Sequence, residues 1–107
     1  MTGEEAAEIA LEFLMTDWEI PAEDWEWFTV LGSRYIKNSW FVVELGIEGL
    51  PDKWVLQVYE HGECDPNYTF NSPMKPGSET TELDEFPESV AEMIAKERNG
   101  GILTGGN

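Results

Sequence analysis

Apolar positions along this chain fall first at helical spacing and then at strand spacing. Ala6, Ile9, Ala10, Phe13 and Leu14 recur at i, i+3, i+4, i+7 and i+8, which makes one stripe of an amphipathic helix. Thr2 and Glu5 stand three residues apart at its start, a capping-box pattern in which each side chain satisfies the other's orphan amide. Glu4, Glu8 and Glu12 form the opposite row, with no lysine among them. Like charges at that spacing cost ~0.2–0.5 kcal/mol per pair, and Glu4 recovers part of this beside the positive helix N-terminus. The row reads as a solvated face or as part of a docking surface.

Residues 16–24, with Ile20-Pro21 inside, read as the connection that stops this helix. Trp25 to Ile36 is then rich in aromatic and β-branched residues and predicts a strand, broken at Gly32-Ser33 by a bulge or bend. Lys37-Asn38-Ser39 has turn chemistry, and Trp40 to Ile47 predicts a second strand. Gly49-Leu50-Pro51-Asp52 turns into a third over Lys53 to Glu60, and a turn over His61 to Asn67 leads to a short strand at Tyr68 to Phe70. Residues 71–86 read as irregular, with the acidic stretch Glu79 to Glu85 inside them. Pro87 suits the first turn of a weaker amphipathic helix carrying Val90, Met93 and Ile94; Lys96 and Arg98 suit its last turn, and Gly100 its end.

The expected fold is therefore α+β: an N-terminal helix packed on a curved antiparallel meander of three or four strands, with a second short C-terminal helix. Residues 1–100 make the single domain that 107 residues allow, and 101–107 a flexible glycine-rich tail. Along the middle strands Phe41, Val43, Leu45 and Ile47 share a face, as do Trp54, Leu56 and Val58. The reverse face keeps Trp40, Val42, Val55 and Tyr59, too apolar for plain solvent surface. A helix, a loop, a second subunit or a partner is expected to cover it, and a homodimer through those four residues is one form this takes.

Charge changes the picture most. Asp and Glu number 22 against 6 Lys and Arg, a formal net of −16, yet 41% of residues are hydrophobic and five are Trp. A disordered acidic tail lacks such a core. The field attracts cationic surfaces and repels phosphate backbones, so direct nucleic-acid binding is not expected. No basic leader with an apolar run precedes the first helix and no apolar run is long enough to span a bilayer. Cys64 has no second cysteine to pair with, which makes a reducing cytoplasm the expected compartment.

Candidate chemistry is sparse. His61-Gly62-Glu63-Cys64-Asp65 holds an imidazole, a thiol and two carboxylates, but a closed zinc site needs further ligands and the chain has no other His or Cys. The cluster reads as a polar turn, without the orienting partner that a Cys–His nucleophile requires. No glycine-rich phosphate loop is present, and neither a cofactor nor a metal is expected. The tryptophans say more. Trp25 and Trp27 are interleaved with Glu19, Glu23, Asp24 and Glu26, an aromatic anchor ringed by carboxylates that suits a cationic protein surface.

The stretches Ala6-Ala7-Glu8-Ile9-Ala10-Leu11-Glu12-Phe13-Leu14, Asn38-Ser39-Trp40-Phe41-Val42-Val43 and Trp54 through Glu63 together resemble cystatin-like and nuclear-transport-factor-like small α+β domains, and more narrowly small bacterial immunity-type proteins on that plan. The resemblance spans roughly residues 4–70. Gln57-Val58-Tyr59 lacks the Gln-x-Val-x-Gly hairpin of cystatin-like inhibitors, so protease inhibition is not implied. The expected function is a non-enzymatic binding protein for a basic protein, of the immunity, inhibitor or decoy type. The alternatives are a small-ligand pocket between helix and sheet, as in nuclear-transport-factor-like domains, and a homodimeric structural domain.

Overall fold

Thr2 caps the first helix as its spacing from Glu5 implies: its hydroxyl accepts from the Glu5 amide at 3.2 Å and its amide donates to Glu5 Oε1 at 2.8 Å. In the computed structural model, described for residues 1–37, 39–73 and 81–106 and for the backbone alone at 81, 82 and 99–106, this helix, α1, spans Gly3–Asp17. Four strands follow: β1 (Phe28–Ile36), β2 (Trp40–Ile47), β3 (Lys53–Tyr59) and β4 (Thr69–Asn71). They form one antiparallel sheet in the order β1-β2-β3-β4, with β1 and β4 as its edges. A short 3₁₀ turn at Thr81–Glu85 precedes α2 (Glu88–Gly106).

The alternation in β2 and β3 sorts their faces. Phe41, Val43, Leu45, Trp54, Leu56 and Val58 are buried and meet Ala6, Ala10, Leu14 and Met15 of α1. The small alanines let the helix approach closely while the sheet supplies the bulk. α2 adds Val90, Met93 and Ile94 to the same core, so both helices lie on one side of the sheet. The second helix therefore does not cover the reverse face. There Trp40, Val42, Val55 and Tyr59 are half-buried by one another and by their neighbours. Over the middle strands the space beneath α1 is filled by core side chains, with Ala6, Ala10, Leu14, Val43, Leu56 and Val58 all fully buried, while toward β1 an open depression remains.

Four departures from the sequence-based expectations have physical causes. First, residues 22–27 form a 3₁₀ turn and the strand begins only at Phe28. Pro21 sets φ at −58° at the turn's start, and the Asp24 amide closes on the Pro21 carbonyl at 2.9 Å. Second, the bulge lies one residue earlier than Gly32, with Leu31 as the extra residue between the pairs Val30↔Leu45 and Gly32↔Glu44. Leu31 then leans over Gly46, where an added Cβ would come within 2.8 Å of a Leu31 methyl. Third, the acidic stretch is not wholly irregular: Leu83 is buried and anchors the second 3₁₀ turn, while residues 79 and 80 lie outside the described residues. Fourth, α2 runs past Gly100 to Gly106. Glycine inside a helix costs about 1 kcal/mol relative to alanine and does not by itself force an end.

Candidate functional site

The end of α1 sets up the stretch in which carboxylates and tryptophans interleave. Ile20 donates its amide to the Met15 carbonyl at 2.8 Å and Glu19 to Thr16 at 3.1 Å. That bond pair is a Schellman closure, with Glu19 in the left-handed position at φ 55° that glycine usually takes. Ile20 is buried beneath it. The chain then enters the 3₁₀ turn, and Trp25 folds back so that its indole N–H donates to the Ile20 carbonyl at 2.8 Å. Asp24 accepts from the Ser89 hydroxyl at 2.7 Å, which ties the turn to α2.

Only part of the predicted site is thus free to meet a partner. Trp25 packs against the core and Asp24 is engaged by Ser89; Glu19 gives its backbone to the helix closure, and the residue is exposed beside a different cleft with Ser89, Glu92 and Lys96. Glu23, Glu26 and Trp27 remain exposed. Trp27 is 39% accessible, and its ring stands edge-on to Phe86 with centroids 5.1 Å apart at 78°. It forms a wall between two clefts. One, of about 540 Å³, is lined by Glu26, Thr29, Leu31, Ile47 and Glu48. The other, of about 330 Å³, is lined by Glu48, Gly49, Leu50, Glu85 and Phe86. Every charged residue lining the two is a carboxylate. Glu48, Glu85 and Phe86 come from segments 20 to 60 residues away, and no local pattern joins them to Trp27.

Cations elsewhere do little to offset this field. Lys53 pairs with Glu44 at 3.2 Å, Lys96 with Glu92 at 2.9 Å, and Arg98 is buried against Asp52. Among the described residues that leaves Arg34 and Lys37 outside ion pairs, both on β1 or the turn after it.

The His61–Asp65 cluster is not gathered for catalysis. Cys64 is buried and its antiparallel bridge to Val58 points the thiol inward, where burial and the nearby Asp65 carboxylate push its pKa up to about 11. A reactive thiol is shifted the other way. His61 stays outside, stacked on Tyr59 at 5.7 Å and 3.5 Å from Glu63. Asp65 instead serves the turn: it accepts from the Asn67 amide at 2.8 Å and from Tyr59 Oη at 2.7 Å. The Asn67 bond and then the Tyr59 bond hold its pKa below the usual carboxylate range. No group of three or more metal-ligating side chains occurs among the described residues.

A second polar cluster sits under α2. Glu97 Oε2 accepts from Trp54 Nε1 at 2.8 Å and from Tyr68 Oη at 2.9 Å, and Tyr68 accepts in turn from Trp18 Nε1 at 2.8 Å. Burial raises the Glu97 pKa, the Asp17 charge adds to the rise, and the two donors only partly offset it. Trp18, Tyr68, Trp54 and Glu97 satisfy one another across this cluster, which describes a structural latch.

No family model matches the chain, and no curated protein or solved structure matches it significantly. The functional reading rests on the geometry above.

Proposed function

We propose that this protein is a non-enzymatic acidic binding protein that engages a basic protein partner through the Trp27 surface. The observation that carries this reading is the half-exposed Trp27 wall, which separates two clefts whose charged lining is carboxylate alone. An indole face and nearby carboxylates are what an arginine or lysine side chain needs. A cation over an indole gains ~0.5–2 kcal/mol, more as water is excluded. Glu26, Glu48 and Glu85 supply acceptors, while Glu23 and the wider field steer the encounter. An inhibitor, immunity or decoy role follows if the occupied site on the partner is its cationic working surface.

The test is salt-dependent capture of basic proteins from the source lysate after nuclease treatment. Trp27→Ala and the Glu26→Lys/Glu48→Lys pair are expected to weaken retention at least about tenfold. The Glu12→Lys/Glu63→Lys pair changes net charge equally, but at exposed positions outside both clefts, and is expected to have a far smaller effect. Equal loss from both pairs would mean that only bulk charge is at work and would reject the site.

A second reading, a homodimer through Trp40, Val42, Val55 and Tyr59, draws on a different observation. The charged residues of β2 and β3 on that open face are Glu44 and its partner Lys53, with Arg34 of β1 beside Val42 and the Asp65 carboxylate on Tyr59 Oη, so charge on the face is nearly balanced. The Trp40 indole N–H is buried without a hydrogen-bond partner among the described residues, a cost of ~1–3 kcal/mol that an acceptor on a second copy would relieve only if the ring turned outward to meet it. Sedimentation equilibrium of wild type and Val42→Glu tests it; a concentration-independent monomer mass for the wild type would exclude it.

A further inference from the structure

The large exposed apolar residues are not scattered. Apart from Met1, those described are Trp27, Val30, Leu31 and Tyr35, all in or directly before the edge strand β1. Val30 is 45% and Leu31 55% accessible. From Thr29 to Arg34 no backbone hydrogen bond outside the β1–β2 ladder occurs among the described residues. The outer edge of the strand is therefore a row of unpaired amides and carbonyls, the template to which a further strand adds. Beside it, on the helix side of the sheet, runs an open depression of about 810 Å³ between β1 and α1. Ala7, Leu11 and Val30 give it an apolar floor, and Glu4 and Glu8 are the charged residues that line it.

Resting on the reading of a basic partner, we infer that this partner docks as an extended cationic segment added to the edge of β1. Alternate side chains of an added strand point to opposite faces. An apolar one enters the Ala7/Leu11/Val30 trough, and basic ones two positions before and after it, on the same face, reach Glu4 and Glu8. One end of the added strand lies at Trp27, the residue before β1; the trough takes Val30 and Ser33 from that strand, and the larger Trp27 cleft takes Thr29 and Leu31. A second copy is a poor occupant. Pairing two β1 edges would set the Glu4/Glu8 row of one copy against a protein of net charge −16. The bulge at Leu31 bends the edge as well, which shortens the length available to indiscriminate pairing.

The experiment uses the full chain and a capped synthetic peptide with Lys, Val and Lys at every second position and Thr between them, so that Lys and Val share one face, with a second peptide of the same composition N-methylated at alternate residues. Isothermal titration is expected to show binding of the first peptide. N-methylation on the edge-facing register should weaken it about tenfold or more through lost backbone bonds. Val30→Lys, a change at an exposed position, should weaken it similarly by placing like charge in the trough. Hydrogen exchange should slow at amides between Thr29 and Arg34 in the complex. Equal binding of both peptides, or binding without slowed exchange in β1, would overturn the strand addition while leaving the Trp27 reading intact. Slowed exchange in β1 without peptide, at concentrations where the mass doubles, would assign the edge to a second copy and likewise overturn it. No binding of any basic protein or peptide would reject both.

Discussion

Arg98 and Asp52 face each other in a buried two-pronged ion pair, with Nε 2.7 Å from Oδ2 and Nη2 2.6 Å from Oδ1. Arg98 lies on α2, and Asp52 is in the turn just before β3, so the pair fixes the C-terminal helix to the sheet 46 residues away. Burial alone would raise the Asp52 pKa, but the bonds from Arg98 and Ser72 and the Arg98 charge outweigh it and hold the carboxyl below its ordinary value. Removing one partner strands a buried charge. Arg98→Met or Asp52→Asn should cost about 3–5 kcal/mol in urea unfolding, whereas Asp52→Leu with Arg98→Met should recover most of that loss. A double mutant as unstable as either single one would show that the helix depends on the charges themselves.

Glu97, the preceding residue, works in the opposite direction. Its folded pKa is raised above the ordinary 4.5, so the native state prefers it protonated. The penalty is present in full above the folded value, shrinks as pH falls through that value, and is gone below about 4.5. Asp52 carries the other sign: its contribution is whole above its ordinary 3.8 and is lost as pH falls through its lowered folded value. Stability should therefore rise on mild acidification and fall only at lower pH. Glu97→Gln keeps an oxygen to accept from Trp54 and Tyr68, so it should raise stability at pH 7 and remove the mild-acid rise. Parallel pH profiles for wild type and variant would disprove this assignment.

The first helix and the sheet were legible because their signals are local. Thr2 and Glu5 fix a cap, and alternation fixes the buried face of β2 and β3. Trp25 to Trp27 misled because an aromatic-rich run has strand-like composition, while its actual conformation is set by Pro21 and by an indole bond to Ile20. Arg98 read as a cation suited to the last turn of the second helix, but the helix runs on to Gly106, and the partner at Asp52 is visible only once the chain is folded. The candidate site was half legible. Glu23, Glu26 and Trp27 are on one short turn, but Glu48, Glu85 and Phe86 reach it through tertiary contact.

Cys64 offers a direct probe of local opening. With its pKa near 11, only about 0.1% of the thiol is thiolate at pH 8, and burial withholds even that from reagents. Alkylation by iodoacetamide should be at least about a hundredfold slower than for an unfolded control and should speed up with urea in step with unfolding. Fast labelling of the native protein would show that the His61–Asn67 turn opens on its own.

Glu19 separates stability from binding. An L-residue in the left-handed region costs ~1–2 kcal/mol, and the Schellman closure holds Glu19 there at φ 55°. Its carboxylate also sits at the negative end of α1, which is unfavourable by a few tenths of a kcal/mol (~0.3). Glu19→Gly removes both costs, and even after the greater freedom of glycine in the unfolded chain it should stabilise by about 1 kcal/mol. Glu19→Gln removes only the charge and should recover only the smaller part. Because Glu19 lines neither Trp27 cleft, both variants should hold a basic partner as the wild type does once the small change in net charge is matched. A stabilised Glu19→Gly that lost the partner would move the binding surface toward the end of α1 and away from Trp27.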